Sequence, residues 1–121
     1  MDRLTPREEE LMRILWKLKK AFVKDIIAEL PEPKPHYNTV STIIRKMEKK
    51  GYVKHKAFGK THQYFPAIDK KNFRKAVIQE AIKNYFDNSY KNVVSFLVKE
   101  RKLSAKELKE ILDLIEKNNK E

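Results

Sequence analysis

The stretch from residue 36 to 55, HYNTVSTIIRKMEKKGYVKH, changes its polar residue types along its length. One side at helical spacing is an apolar stripe of Val40, Ile43, Ile44 and Met47, which predicts a buried helix face. The other side starts with short amide and hydroxyl side chains and becomes basic later: Asn38, Thr39, Ser41, Thr42, Arg45, Lys46 and Lys49. Short polar side chains let a helix backbone come close to base edges and hydrogen-bond to them. The pattern therefore indicates hydrogen-bonded recognition of a nucleic acid.

Individual positions in this stretch allow more than one interpretation. Arg45 could reach guanine or phosphate, while the lysines at 46, 49 and 50 are expected nearer the phosphates, where charge matters more than pattern. Tyr37 could contact the DNA backbone or thymine, or pack on the loop at Pro35. The whole stretch could also be an N-terminal capping cluster followed by a solvated helix face.

The positive charge is concentrated in the first part of the chain. Of the net charge of +11, residues 1–75 carry +10 (19 Lys+Arg against 9 Asp+Glu) and residues 76–121 carry +1 (9 against 8). Residues 34–60 alone hold 8 basic residues and one acid, a net +7. This distribution predicts a basic module that meets a polyanion and a neutral module with another task, although a merely lysine-rich soluble protein would look similar.

Composition excludes several classes of chemistry. The chain has no cysteine, so disulfides, thiolate metal sites and thiol nucleophiles are excluded, and a reducing cytosol suits it. The two glycines provide no phosphate-cradling loop, the charged N-terminus is not a secretory signal, and no apolar run could span a bilayer. His36, His55 and His62 lack the spacing of metal ligands; we expect the first at a helix start and the others on strands. We predict no enzyme activity, no metal and no cofactor.

Residues that start and end secondary structure divide the first half of the chain into three helices and a hairpin. Thr5, Pro6 and Glu8 form an N-terminal signal with a capping box, and Trp16 lies off the centre of the apolar stripe that follows, so we expect it to pack at a boundary and not to bind a ligand. Residues 21–23 are read as an extended link, KDIIAELP as a short helix, and a third helix is expected from Tyr37 to Lys50, before Gly51. Two strand-like runs, YVKHKA and THQYF, then flank a turn at Gly59. Three helices and a basic hairpin predict a winged helix-turn-helix.

The remainder of the chain predicts three helices, with caps at Asp69, Ser89 and Ser104. About 50 residues cannot enclose the middle helix, which is apolar on all sides, so we expect a second copy to cover it. Packing against the first half of the chain is the alternative. The residues assigned to a dimerisation surface are Phe73, Val77, Tyr85, Phe86, Val93, Val94, Phe96, Leu97, Leu108, Ile111, Leu112 and Ile115.

Three segments together resemble the penicillinase/methicillin-resistance repressor family, of the BlaI/MecI/CopY type. They are LTPREEELMRILWKLKKAFVKDIIAELP, YNTVSTIIRKMEKKGYV and GKTHQYFP, and the similarity extends over essentially the whole chain. The resemblance implies a bacterial transcriptional repressor that dimerises through C-terminal helices and binds a dyad-symmetric operator, typically with TACA/TGTA half-sites. It places recognition-helix contacts at Asn38, Thr39, Ser41, Thr42 and Arg45, and wing contacts at Lys56, Gly59, Lys60 and Thr61.

Two features depart from that family's pattern. Members controlled by β-lactam sensing are cleaved between Asn and Phe in the dimerisation helix, and the matching pair here is Ser95–Phe96. A regulatory protease would thus meet serine where the family has asparagine. The copper-responsive branch carries a cysteine-rich C-terminal motif, and a chain without cysteine cannot use it.

The sequence therefore predicts a mostly α protein with a small β-hairpin wing, divided into a winged-helix DNA-binding domain at 1–68 and a helical dimerisation domain at 69–121. The expected function is sequence-specific, homodimeric repression at double-stranded operator DNA in a bacterial cytoplasm, of genes of the β-lactam-resistance type, with no membrane partner. The alternatives are non-specific nucleic-acid binding through residues 34–60 and a helical protein–protein adaptor.

Overall fold

The computed structural model describes the chain from Asp2 to Lys120. Within that range the fold consists of helices and one antiparallel hairpin, in the order α1 (Pro6–Leu18), α2 (Val23–Glu29), α3 (Tyr37–Lys49), β1 (Val53–Phe58), β2 (Thr61–Pro66), α4 (Lys70–Tyr85), α5 (Tyr90–Lys99) and α6 (Ala105–Lys120). The predicted fold class is confirmed. None of the helices in the described range is long and apolar enough to cross a membrane.

Helix α1 begins where its capping residues predict. The amide of Glu8 donates to Thr5 Oγ1 at 3.2 Å, and the amide of Thr5 donates to Glu8 Oε1 at 2.8 Å. This reciprocal pair satisfies two backbone donors that the first turn would otherwise leave unpaired. The predicted capping box is therefore confirmed.

Helix α3 follows α2 after a proline-rich loop and buries the predicted stripe. Val40, Ile44 and Met47 have no exposed surface, and Ile43, the fourth member, is partly buried against the core. The helix ends at Lys49, one residue before the predicted end, and Lys50 is its C-cap. The chain then turns at Gly51, whose φ of 93° lies in the region that favours glycine.

The hairpin pairs β1 with β2 in a fixed register in which His55 lies opposite Tyr64 and Phe58 opposite Thr61. Gly59, at φ 63°, occupies the turn as predicted. Ala21 adds one further rung, because its amide and carbonyl both bond to Tyr64 at 2.9 and 2.8 Å. The segment read as an extended link therefore pairs with the wing, and α2 already begins at Val23.

The chain separates into two compact units, one ending at Phe73 and the other beginning at Arg74. The first has a continuous core, with Leu11, Leu15 and Ile26 fully buried. Trp16 packs at its edge, where Nε1 donates to the carbonyl of Ile68 at 3.0 Å. The division into domains at 1–68 and 69–121 stays a prediction.

The predicted caps of α4, α5 and α6 are confirmed, and the second unit consists of helical segments. At the start of α4 the Asp69 carboxylate accepts a hydrogen bond from the amide of Asn72, and at the start of α5 Ser89 Oγ accepts one from the amide of Asn92. At the start of α6, Ser104 and Glu107 bond reciprocally. Ile82 is the one buried residue among the described side chains from 74 to 118. This unit thus has very little core of its own in the single chain.

Candidate nucleic-acid interface

The face of α3 opposite the core is exposed along its whole length. Its exposed members are Asn38, Thr39, Thr42, Arg45, Lys46 and Lys49. Thr42 Oγ1 donates to the carbonyl of Asn38 at 2.8 Å, which fixes the hydroxyl. The face therefore has a neutral hydrogen-bonding first half and a cationic second half, as its residue types predict.

Ser41 differs from its neighbours on this face because it is buried, with 6% of its surface exposed. Its Oγ accepts a hydrogen bond from Arg45 Nη2 at 2.9 Å. The hydroxyl therefore holds the guanidinium in place. In this geometry Ser41 is placed to affect DNA binding indirectly, through the position of Arg45.

Lys50 does not lie free near a phosphate path, contrary to the expectation for the three late lysines. Its Nζ is 2.6 Å from Glu8 Oε1 and donates to the carbonyl of Arg3 at 3.0 Å. Glu8 is 3% exposed. Burial alone would raise the pKa of Glu8, but hydrogen bonds from Lys50 and Thr5 and the charge of Lys50 lower that pKa below its ordinary value. Lys50 is thus committed to the first unit's own ion pair.

The predicted wing contacts all lie at the exposed end of the hairpin. They are Lys56, Gly59, Lys60 and Thr61. Thr61 Oγ1 donates to the carbonyl of Phe58 at 2.9 Å across the turn, and the Lys56 ammonium is 5.4 Å from the centre of the Phe58 ring. The turn is therefore held locally while its ammonium groups stay accessible.

The histidines occupy the predicted elements. His36 is the N-cap residue of α3, and His55 and His62 lie on β1 and β2 with their rings stacked 4.0 Å apart. His55 Nδ1 is 2.6 Å from Glu48 Oε2 on α3. Over the described part of the chain there is no group of three or more residues that could hold a metal ion.

A cleft of about 350 Å³ opens between α3 and β2, and we call it the α3–β2 cleft. It is lined by Val23, Tyr37, Ser41, Arg45, Lys60, His62 and Tyr64. Tyr37 is half exposed here, so its ring borders the cleft. The sequence interpretation missed Tyr64, although the alternation in THQYF places residues 62 and 64 on one face of β2, the face that His55 shares.

The second unit exposes apolar side chains on all its helices. Most of the predicted dimerisation residues are exposed, namely Val77, Tyr85, Val94, Phe96, Ile111, Leu112 and Ile115, and Phe86, Val93, Leu97 and Leu108 are half-buried. Phe73 belongs to the first unit, where its ring packs edge-on against Trp16 at 5.2 Å. Ser95 and Phe96 are adjacent exposed residues within α5.

The three helices and the hairpin that follows them define a winged helix-turn-helix protein. A family model described as "Penicillinase repressor" matches residues 4–117. The chain belongs to the penicillinase repressor family, and the resemblance found in its sequence is confirmed. It is thus a transcriptional repressor by family, which agrees with the expectation that it is not an enzyme.

Named relatives match over nearly their whole length at low identity. The chain is 25% identical over 115 residues to the methicillin resistance regulatory protein MecI of Staphylococcus aureus and to that of Staphylococcus epidermidis, covering 94% of each chain. It is 23% identical over 119 residues to the penicillinase repressor of Bacillus licheniformis, covering 98% of this chain and 93% of the relative. These names link the family to the regulation of antibiotic resistance.

Proposed function

We propose that this chain represses transcription as a homodimer that occupies a dyad-symmetric operator in a bacterial cytoplasm. The observation that carries the proposal is the exposed face of α3, where short hydrogen-bonding side chains precede cationic ones on the second helix of a winged helix-turn-helix. In such a motif that helix enters the major groove with its N-terminal residues leading. The dimer blocks transcription by occupying the promoter.

The proposed contacts divide by chemistry. Asn38, Thr39 and Thr42 read base edges, because the amide can donate and accept and the threonine methyl groups can pack on thymine. The ammonium groups of Lys46, Lys49, Lys56 and Lys60 lie exposed on α3 and the wing and meet phosphates. Gly59 and Thr61 shape the turn that carries the wing lysine. Ser41 acts by holding Arg45.

The proposed dimer explains the apolar surface of the second unit. Val94 and Phe96 on α5 are 42% and 49% exposed in the single chain, and α6 exposes further large apolar side chains, among them Leu112 and Ile115. Apolar surface of this kind, spread over neighbouring helices, is typical of an interface. A dimer carries two linked DNA-binding units and binds DNA more tightly than one unit alone, because the second half-site is bound at a raised effective concentration.

Release of the operator would follow from any event that loosens this dimer. The names of the relatives suggest target genes of the β-lactam-resistance type. Ser95–Phe96 is the position at which a regulatory protease would act if the cleavage mechanism extends to this chain. Such a protease needs local opening of α5, because both residues lie inside the helix.

Selection of bound duplexes from a randomised pool tests this function for an operator of any sequence. The full-length chain should enrich a sequence with two-fold symmetry. The double variant Asn38→Ala/Thr42→Ala should lose discrimination at particular positions of that sequence, by about 1–3 kcal/mol for each good base contact. The control Lys106→Gln, on α6, should enrich the same sequence as the wild type. Enrichment of no common sequence would leave non-specific binding, and recovery of no DNA would overturn the proposal.

A further inference from the structure

The α3–β2 cleft is an open cleft that brings together donors from separate elements. Its volume of about 350 Å³ is at the small end of the range for ligand sites, so it suits a small group. Arg45 from α3 and Lys60 and His62 from the hairpin face into it, and Val23 provides an apolar side. The side chains therefore offer two fixed positive charges and several donors from separate elements.

Tyr64 is the least expected member of this set. The residue is 2% exposed, and its backbone amide and carbonyl both bond to Ala21. Among the described side chains every fully enclosed polar atom has a hydrogen-bond partner. The Tyr64 hydroxyl has none among them, so its oxygen keeps access to the cleft that the residue lines. A largely buried phenol usually has a partner for its hydroxyl, and here the geometry leaves that donor for something that enters the cleft.

The charges near the Tyr64 hydroxyl are mixed, and the two cationic side chains that line the cleft, Arg45 and Lys60, are the groups that attract an anion there. Burial of Tyr64 and the nearby Glu48 carboxylate raise the pKa of its phenol, against a lowering by Arg45, so the hydroxyl stays a neutral donor at physiological pH. Glu48 is the acidic group on this side, and its Oε2 is engaged by His55 at 2.6 Å. Arg45 is itself positioned by the buried Ser41 hydroxyl at 2.9 Å. An oriented guanidinium is well suited to charge-assisted bonds with phosphate oxygens.

We propose that the α3–β2 cleft binds one phosphate group, with Arg45 and Lys60 supplying charge and the Tyr64 hydroxyl donating a hydrogen bond. The phosphate can belong to the DNA backbone or to a free phosphorylated small molecule. The first source rests on the proposed function and the second does not. A free phosphate compound in the cleft would occupy the same groups that are proposed to contact the DNA backbone. It would therefore compete with the operator.

Titration of the full-length chain with inorganic phosphate tests the free source. At constant ionic strength, amide and guanidinium NMR signals of Arg45, His62 and Tyr64 should shift along one saturable curve. Tyr64→Phe keeps the ring and the backbone rung, and it should weaken phosphate binding at least tenfold. Tyr52→Phe is the matched control, because that buried phenol donates to the carbonyl of Asp2 at 2.6 Å, away from the cleft. It should leave phosphate binding unchanged.

Neutral methylphosphonate groups, placed one at a time along a selected duplex, test the DNA source. A methylphosphonate at one position per half-site should lower the affinity of the wild-type chain for the duplex. The same methylphosphonate should leave the affinity of Tyr64→Phe unchanged. Lys60→Gln, an exposed substitution that does not disturb the core, should be insensitive there too and should reduce the salt slope by about 0.9 per subunit.

The outcomes separate the two proposals. One outcome would overturn the cleft assignment and leave the repressor function intact. In it, the chain binds a specific duplex, no phosphonate position affects wild type and Tyr64→Phe differently, and inorganic phosphate shows no saturable binding. Saturable phosphate binding that Tyr64→Phe abolishes, in a chain that binds no duplex, would support the cleft and overturn the DNA function. Equal phosphate binding and equal phosphonate sensitivity in Tyr64→Phe and wild type would also overturn the assignment.

Discussion

The buried carboxylate of Glu8 shows how one residue both begins a helix and holds the chain beyond α3. It caps α1 through Thr5 and pairs with Lys50, which follows α3. The capping role could be predicted from the local spacing of Thr5 and Glu8. The ion pair could not, because it joins residues 42 positions apart, and nothing local separates Lys50 from Lys49. This is why a lysine that was expected near phosphates is instead paired with Glu8.

Glu8 should make stability depend on acid pH. Its pKa is lower in the folded chain than the ordinary 4.5, so the carboxylate contributes stability that is complete above that value and is lost as pH falls through the folded-state pKa. Chemical denaturation at a series of pH values between neutrality and about pH 3 should show this loss, and Glu8→Gln should flatten that part of the profile. Glu10→Gln is the control, since Glu10 pairs with Arg7 on the surface. Equal flattening by the two substitutions would contradict the assignment.

Ser41 should act on DNA only through Arg45. At 100° per residue, position 41 lies at the border of the stripe formed by Val40 and Ile44, so its pattern alone could not decide between burial and exposure. In the structure it is buried and bonded to Arg45. Ser41→Ala should weaken operator binding by about 0.5–1.5 kcal/mol, the usual net value of one hydrogen bond.

A double-mutant cycle separates this role from direct contact. In an Arg45→Gln background, Ser41→Ala should have almost no further effect on operator affinity. Independent, additive losses would instead indicate that Ser41 contacts DNA itself.

At the scale of elements, helix ends and the wing turn were predictable because their signals are local. The capping residues of α1 and α6 and the glycines at 51 and 59 are each decided within a few residues. The rung between Ala21 and Tyr64 was not predictable, because one isolated pair joining distant segments leaves no periodic pattern. The alternation in THQYF does place Tyr64 on the same face as His62, but it could not show that this face borders α3, because that packing joins distant segments.

Gly59 should be required for its backbone conformation rather than for space. Its φ is +63°, and an added Cβ would meet nothing within 4 Å. Gly59→Ala should therefore destabilise the chain by about 1 kcal/mol, from the left-handed conformation alone. Gly59→Asn should cost less, because asparagine adopts that conformation more readily. Urea denaturation of the three chains measures the order, and equal stability of all three would contradict this reason.

At the scale of the whole molecule, the helical content of the second unit could be predicted, and its need for a partner surface was inferred from too little core. Among the described side chains from 74 to 118 only Ile82 is buried, which agrees with a small core in the single chain. The sequence could not predict which apolar residues face a second copy, because the apolar residues surround α5 instead of forming one stripe. The exposed residues of α5 provide a direct test of the proposed dimer.

Val94→Asp should dissociate the proposed dimer by placing a charge in an apolar interface. Asn92→Asp is the matched control, since it makes the same change of charge at an exposed polar position in the first turn of the same helix. Sedimentation velocity should show at least a tenfold weaker dimer for Val94→Asp and an unchanged dimer for Asn92→Asp. A monomeric wild type, or equal weakening by both substitutions, would contradict the proposed interface.

Specific recognition of one DNA sequence by a dimer of this chain can be measured directly. Fluorescence anisotropy at moderate salt should compare a duplex from the promoter upstream of its own gene with a scrambled duplex of the same length. We expect a preference of about a thousandfold or more, with two subunits bound per duplex. Equal affinity for both duplexes, or one subunit per duplex without preference, would contradict it.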